Sequence, residues 1–333
     1  MEEKKKVLLA MPIGFGLHTM MVKNLELNNF DITSICIPEF EYQNTKDKLV
    51  NFLRKTFLGD KEYKRTVLYY DYKSRLLNEK LSSFSKDYFD YCLFIRPDVY
   101  PIDIINRANE VSKKSIGYQW DGLNRFPAVF DRISLFDSFY AFDKDDFKNY
   151  KETYPNLKIT TNFYSSFDSN LNVEHSDVYY LGTYYKNRME DILNVYKELE
   201  PLKLKLNLLI FRHKKNRSSK YELPGINFFK GVIRYEENLS YIKNTKAILD
   251  FKTEEHSGLS FRFFEALKYK VKIITNNVDV ANYSFYNKNN VFIIGLDSYK
   301  ELPSFIEGAY KELDQENYQK YSFDTWILNL LND

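Results

Sequence analysis

What most constrains this chain is a series of short apolar runs, each unbroken and not alternating with polar residues. Six fall in the first half: "KVLLAMP" (Lys6–Pro12), "DITSICIP" (Asp31–Pro38), "DYCLFIRP" (Asp90–Pro97), "KSIGYQW" (Lys114–Trp120), "SFYAFD" (Ser138–Asp143) and "KITTNFY" (Lys158–Tyr164). Between them lie stretches of helical periodicity, such as Asp47–Phe57, Tyr72–Phe84 and Pro101–Lys113. A strand that is apolar on both of its faces must be covered on both faces. Alternation with helices supplies that cover, so the pattern predicts a parallel sheet between two helical layers.

The pattern pauses at residues 166–177, where Ser, Asn and Asp replace apolar periodicity, and then restarts. "VYYLGTY" (Val178–Tyr184), "KLNLLIF" (Lys205–Phe211), "INFFKG" (Ile226–Gly231), "AILDF" (Ala247–Phe251), "VKIITN" (Val271–Asn276) and "NVFIIG" (Asn290–Gly295) read as a second set of strands. The expected organisation is an α/β chain of two tandem Rossmann-like doubly wound domains facing a cleft. The first spans 1–165, the linker 166–177 and the second domain 178–318. A C-terminal helix, 319–333, is expected to pack back toward the first domain. Ligands of such sheets bind outside the carboxyl ends of the strands, so the loops there are where function is sought.

Composition narrows the options. The 48 basic and 46 acidic residues nearly cancel, to a net charge of +2, which is no footprint of a nucleic-acid-binding domain. Cys36 and Cys92 sit in apolar runs and read as small buried residues of a reducing compartment. The four histidines show no ligand spacing, and no metal is expected. The opening "MEEKKKVLLAMP" reads as a first strand and not as a leader, since its apolar run is short and its flank carries two glutamates. No apolar run approaches the length of a membrane span. A cytoplasmic protein is the expectation.

Residues 253–277, "TEEHSGLSFRFFEALKYKVKIITNN", concentrate the chemistry. A polar turn holding Gly258 leads to Ser260 at an N-cap position and to a helix from Phe261. The unpaired N–H groups of a helix start suit a phosphate or diphosphate, and a glycine beside them permits close approach. Phe263, Phe264, Ala266 and Leu267 would face the sheet, with Arg262 and Glu265 on the flank. A carboxylate at Glu265 can accept two hydrogen bonds from a vicinal diol such as a ribose. Helix arithmetic alone leaves a plain surface pair between Arg262 and Glu265 equally open.

This stretch, preceded by "GVIRYEENLSYIKNTKAILDF", resembles the C-terminal half of bacterial GT-B glycosyltransferases. It is most similar to capsule and lipopolysaccharide biosynthesis proteins with a "GLTxRxxEAL…KLITTN" pattern. The match is strongest over about residues 225–295. The resemblance implies a nucleotide-diphospho-sugar donor, with Gly258, Leu259 and Ser260 at the diphosphate and Glu265 on the ribose. Arg262 and Glu255 join them as donor-side candidates. It also implies a glycan or lipid-linked acceptor, no cofactor beyond the donor itself, and peripheral contact with the inner face of the plasma membrane if the acceptor is lipid-linked. The chain departs from the retaining pattern of two glutamates eight apart, since the first would fall at Ser257, and it carries Lys270 where a glycine is usual. A nucleotide-sugar epimerase of the same architecture, and a sugar- or nucleotide-binding scaffold, are the rival readings.

Other strand ends add candidates. Gly182 and Arg188 follow the first strand of the second domain, and Arg212 and Lys214 the next. A cation there would stabilise charge on a departing diphosphate. In the first domain, Gly14 and Gly16 form a GxG without the rest of a nicotinamide-binding fingerprint. His18 follows them as a candidate near the reacting centre. In "GYQWDGLNRFP", Asp121 is placed to take an acceptor proton and Trp120 to stack on a sugar. Arg96, in "FIRPD", completes the cleft-facing set.

Overall fold

A computed structural model describes residues 3–37, 39–212, 219–252 and 258–332. Every one of the twelve apolar runs holds a strand. The first six are β1 (Lys5–Ala10), β2 (Phe30–Ser34), β3 (Phe89–Ile95), β4 (Ser112–Gln119), β5 (Ser138–Ala141) and β6 (Leu157–Ile159). They form one parallel sheet in the order β2-β1-β3-β4-β5-β6. The second six are β7 (Ser176–Thr183), β8 (Leu206–Phe211), β9 (Ile226–Phe229), β10 (Thr245–Asp250), β11 (Lys272–Thr275) and β12 (Val291–Ile293). Their order is β12-β11-β10-β7-β8-β9, also parallel throughout.

The burial shows why the runs are unbroken. In β1, Val7 and Leu9 enter one core cluster while Leu8 and Ala10 enter another on the opposite face. In β7, Val178 and Tyr180 serve one face and Tyr179 the other. Successive side chains of a strand point to opposite faces, so a sheet covered on both sides needs apolar residues at every position.

Each sheet reverses its strand order once. In the first, the reversal lies between β1 and β3; in the second, between β7 and β10. The connections on either side of a reversal leave in opposite directions, and the crevice they open at the carboxyl ends is where ligands bind such sheets.

The two halves share a core. Tyr235 and Leu239 from the second half join the cluster built on β1 and the helix Leu17–Leu27. The C-terminal helix Phe323–Asn332 returns to the first domain and lays Phe323, Trp326, Ile327 and Leu330 into that same cluster. Trp326 packs 4.3 Å from Phe163 and 5.3 Å from Tyr118, centroid to centroid. Lys114 Nζ donates to the Leu331 carbonyl at 2.9 Å near the helix end. None of the described helices is long and apolar enough to cross a membrane.

Candidate functional site

The crevice of the second sheet opens between the ends of β7 and β10. β10 ends on Asp250, a buried carboxylate that closes the apolar run Ala247–Leu249. The helix Phe261–Tyr269 starts above it. Ser260 occupies the N-cap position but caps no N–H; its hydroxyl donates instead to Asp250 Oδ1 at 2.7 Å. Arg262 donates to the same carboxylate oxygen at 3.0 Å and, through its other terminal nitrogen, to the Leu181 carbonyl on β7 at 2.7 Å. The guanidinium therefore ties the two strands together across the reversal. It is not the exposed partner of Glu265 that helix spacing left open.

Glu265 lies one turn further along, almost wholly buried. Asn238 Nδ2 donates to its Oε2 at 3.3 Å, and the Tyr235 hydroxyl also acts on it. Burial pushes its carboxyl up to about 7, against the opposing pull of the Arg262 charge. A carboxylate held in this way has neutral hydrogen-bond donors beside it and no direct ion pair. It faces a cavity of about 330 Å³ walled by Gly182, Thr183, Phe229, Asn238 and Arg262, with Phe15 of the first domain on its far side.

A second cavity, of about 420 Å³, belongs to the first domain and is lined by Gly14, Arg96, Trp120, Asp121 and Asn162. Phe15, Leu17, Ser260 and Phe261 line both cavities, so the two recesses share one wall at the domain junction. Trp120 stands edge-on to Phe261 there, at 6.0 Å. Asp121 is held from two sides, Oδ2 by Arg96 at 2.9 Å and Oδ1 by Arg125 at 3.0 Å. Arg96 also grips Asp98 through two parallel hydrogen bonds of 2.7 and 2.8 Å and lies 3.7 Å over the Phe126 ring.

The structure brings Gly182, Ser260, Arg262 and Glu265 to one cavity and Gly14, Arg96, Trp120 and Asp121 to the other. Several expected site residues make other contacts. The Gly258 N–H, expected at the diphosphate, donates to Asp143 Oδ2 at 3.0 Å. A Cβ at Gly258 would come within 2.5 Å of the Phe142 ring, so the glycine serves close approach between domains. Leu259 is buried, and its carbonyl accepts from Asn162 at 3.0 Å, another link between domains. Gly16 (φ +79) starts the Leu17–Leu27 helix against the backbone of Tyr235, whose N–H donates to the Phe15 carbonyl at 2.7 Å.

His18 faces neither cavity. Its Nε2 lies 3.1 Å from Ser34 Oγ on β2, and burial, aided by Lys80, lowers its pKa. Arg188 lies against the Tyr185 ring and Arg212 over the Phe228 ring, the latter at the carboxyl end of β8, and neither lines the cavity. Lys214 and Glu255 lie outside the described residues. Asp250, Asn238 and Asn162 are the site residues that sequence reading missed. Asp250 carried a signal, since a carboxylate closing an apolar parallel strand points at its ligand end. Asn238 and Asn162 carried none. Among the described residues no group of three or more His, Cys, Asp or Glu is placed to hold a metal ion.

No protein-family model matches the chain, and no curated protein matches it in sequence. Solved structures do match. A sucrose-phosphate synthase from Thermosynechococcus elongatus aligns over 98% of this chain and 97% of its own, with a TM-score of 0.58 at 9% identity. TarM aligns over 100% and 99%, with a TM-score of 0.54 at 12% identity. Identities this low speak to architecture alone. Two six-stranded parallel sheets facing a shared cleft, with a C-terminal helix returning to the first domain, give this chain the two-domain GT-B fold.

Proposed function

We propose that the protein is a glycosyltransferase that moves a sugar from a nucleotide-diphospho-sugar to a glycan or lipid-linked glycan acceptor. The observation that carries this reading is the pair of cavities on either side of one wall. A transfer reaction needs two substrates to meet, and an epimerase, acting on the donor alone, has no use for the second recess. In this reading the buried Glu265 carboxylate, without a direct ion pair, accepts the hydrogen bonds of the ribose diol. The first turn of the Phe261–Tyr269 helix, left uncapped by Ser260, faces the diphosphate and stabilises its charge as the glycosidic bond breaks. Arg262 positions the helix start and lends its charge at short range. The acceptor occupies the Trp120 cavity, where Asp121, a carboxylate of its lining, takes a hydroxyl proton. The resemblance of residues 225–295 to capsule and lipopolysaccharide enzymes supports a role in surface-polysaccharide assembly as the setting of this reaction, with the protein working at the cytoplasmic side of the membrane.

A thermal-shift panel of UDP, GDP, ADP, CDP, TDP and CMP, run on wild type and Glu265→Gln, tests this. A ligand at 100 times its dissociation constant adds about 2.7 kcal/mol of stability. One diphosphate is expected to raise the wild-type melting temperature and to do so much less in the variant. If no nucleotide shifts wild type, the donor site is wrong. If one does, and the matching nucleotide-sugar is altered without any acceptor, the epimerase reading replaces transfer.

A further inference from the structure

The segment between β2 and β3 is unlike the rest of its domain. The helix Thr45–Phe57 is well capped, with Asn44 Oδ1 accepting from the Asp47 N–H at 2.7 Å, yet none of its 13 residues is buried. Leu49, Phe52, Leu53 and Phe57 fall at helical spacing on one face. These four and the following Leu58 are between 42% and 75% exposed. The opposite side meets the protein through a polar contact, Asn51 Nδ2 to the Tyr42 hydroxyl at 2.7 Å. This helix is inside out: Val50 is half-buried between Asp47 and Asn51 on the side toward its own domain, and the larger apolar side chains face solvent. A contiguous apolar face of this kind marks a surface that something else covers.

Charge says what covers it. Residues 45–68 hold seven Lys or Arg against three Asp or Glu, a net +4, while the whole chain carries +2, so the rest of the molecule is at −2. Within the segment Arg54 pairs with Asp60 and Arg65 with Glu62. Lys46, Lys48, Lys55 and Lys61 have no ion-pair partner among the described residues. On the helix wheel Lys48 and Lys55 border the Phe52 edge of the apolar face, where long stems can lie along an apolar surface while the ammonium reaches polar groups. A second copy of this chain would bring the same +4 against the first and be repelled. An apolar face bordered by lysines is instead the pattern of a helix lying in the interface of an anionic bilayer.

We propose that the Thr45–Leu68 segment docks the protein on anionic phospholipid. The Leu49, Phe52, Leu53 and Phe57 face enters the acyl boundary, and the flanking lysines meet the headgroups. The segment leaves its sheet at the carboxyl end of β2, the same end as the Pro12–Leu17 loop that lines the two cavities. Docking there gives the membrane partner of a lipid-linked acceptor a place on the molecule. In that sense the proposal extends the transfer reading, but its test uses neither donor nor acceptor.

The full chain is sedimented with vesicles of phosphatidylcholine alone and of equal phosphatidylcholine and phosphatidylglycerol, in about 0.1 M and about 1 M salt, across which screening tightens from about 10 to about 3 Å. Wild type is expected to bind the anionic vesicles, at least tenfold more weakly at high salt, and to ignore the neutral ones. Phe52→Ser with Phe57→Ser, and separately Lys48→Glu with Lys55→Glu, should each cut the partition coefficient at least tenfold. All four side chains are on the exposed helix, so melting temperatures should stay within a few degrees of wild type. The proposal is overturned if wild type stays in solution with anionic vesicles, or if the serine variant binds as wild type does. It is overturned too if the face proves to be covered in a lipid-free dimer that the serine variant dissociates. Failure of the nucleotide panel would sink the donor site and leave this result untouched.

Discussion

The two domains each set a carboxylate at the cleft, and they treat it in opposite ways. In the first domain Asp121 has a guanidinium on each oxygen, and Arg96 is itself pinned by Asp98. In the second domain the arginine is spent elsewhere: Arg262 is bonded to Asp250 and to the β7 backbone, and Glu265 is left buried with only neutral donors, Asn238 and the Tyr235 hydroxyl, beside it. The first domain thus holds its cleft carboxylate in direct ion pairs, and the second buries Glu265, on the helix after β10, without one. Compensation fixes a group, whereas leaving it without an ion pair keeps it available to a ligand. Uncompensated burial costs stability until a partner arrives, and that is the behaviour of a binding group.

The largest test of this contrast is Arg262→Ala. Asp250 would be left in the interior with only the Ser260 hydroxyl, and the link from β10 to β7 would be gone. Removing one partner of a buried pair costs about 3–5 kcal/mol. Urea unfolding should show a loss of that order at pH 7. A loss under about 1 kcal/mol would mean that Arg262 is a surface charge after all and is free for the ligand.

Glu265→Gln and Asp121→Asn should move stability in opposite directions. The Glu265 carboxyl rises from its usual 4.5 to about 7 in the folded protein. Below pH 4.5 it is protonated in both states and contributes nothing. Between 4.5 and 7 the folded state holds the proton and the unfolded state releases it, so wild type loses stability as pH rises. Above 7 the full penalty applies, about 3 kcal/mol for a shift of this size. Glutamine escapes it, so Glu265→Gln should be more stable than wild type above pH 7 and equal to it below pH 4.5. Asp121→Asn removes a charge that faces two arginines and should cost about 1–3 kcal/mol at pH 7. If both variants shift stability the same way, the two carboxylates are not the different kinds of group described here.

How much of this was legible in the sequence follows from what encodes each feature. Sheet and helix order are written in local periodicity, so all twelve runs became strands. The run at Lys158–Tyr164 shortened to Leu157–Ile159, because the chain then turns toward the other domain, where Asn162 bonds Leu259. The positions of Glu265 and Ser260 at the cavity were readable because a helix start and its spacing are local. The contacts of Gly258 and His18 were not, since they depend on partners over a hundred residues away for one and on the edge strand β2 for the other. A glycine before a helix looks the same in sequence whether a phosphate or a neighbouring domain comes close to it. The inside-out helix at Thr45–Phe57 was visible as an amphipathic pattern, but periodicity cannot say which face meets the protein.

That ambiguity of Gly258 yields the smallest of the tests and the one that bears most directly on the cleft. The second domain reaches the first through this residue: its N–H is bonded to Asp143, and its α-carbon lies against Phe142. In Gly258→Ala the new Cβ would sit 2.5 Å from the Phe142 ring, closer than any real contact, so the ring or the domain must yield. Overpacking of this kind costs about 1–3 kcal/mol. Asp143 also caps the helix Lys144–Tyr150 by accepting from the N–H groups of Asp145 and Asp146, so a shift at Gly258 pulls on that cap. The carboxylates on either side of the cleft keep their own partners throughout. The variant should therefore lose stability at every pH by the same amount, without the rise above pH 7 that marks Glu265→Gln. If it instead leaves stability unchanged but abolishes the diphosphate shift, Gly258 contacts the ligand, and the contact with Asp143 is one that the donor displaces.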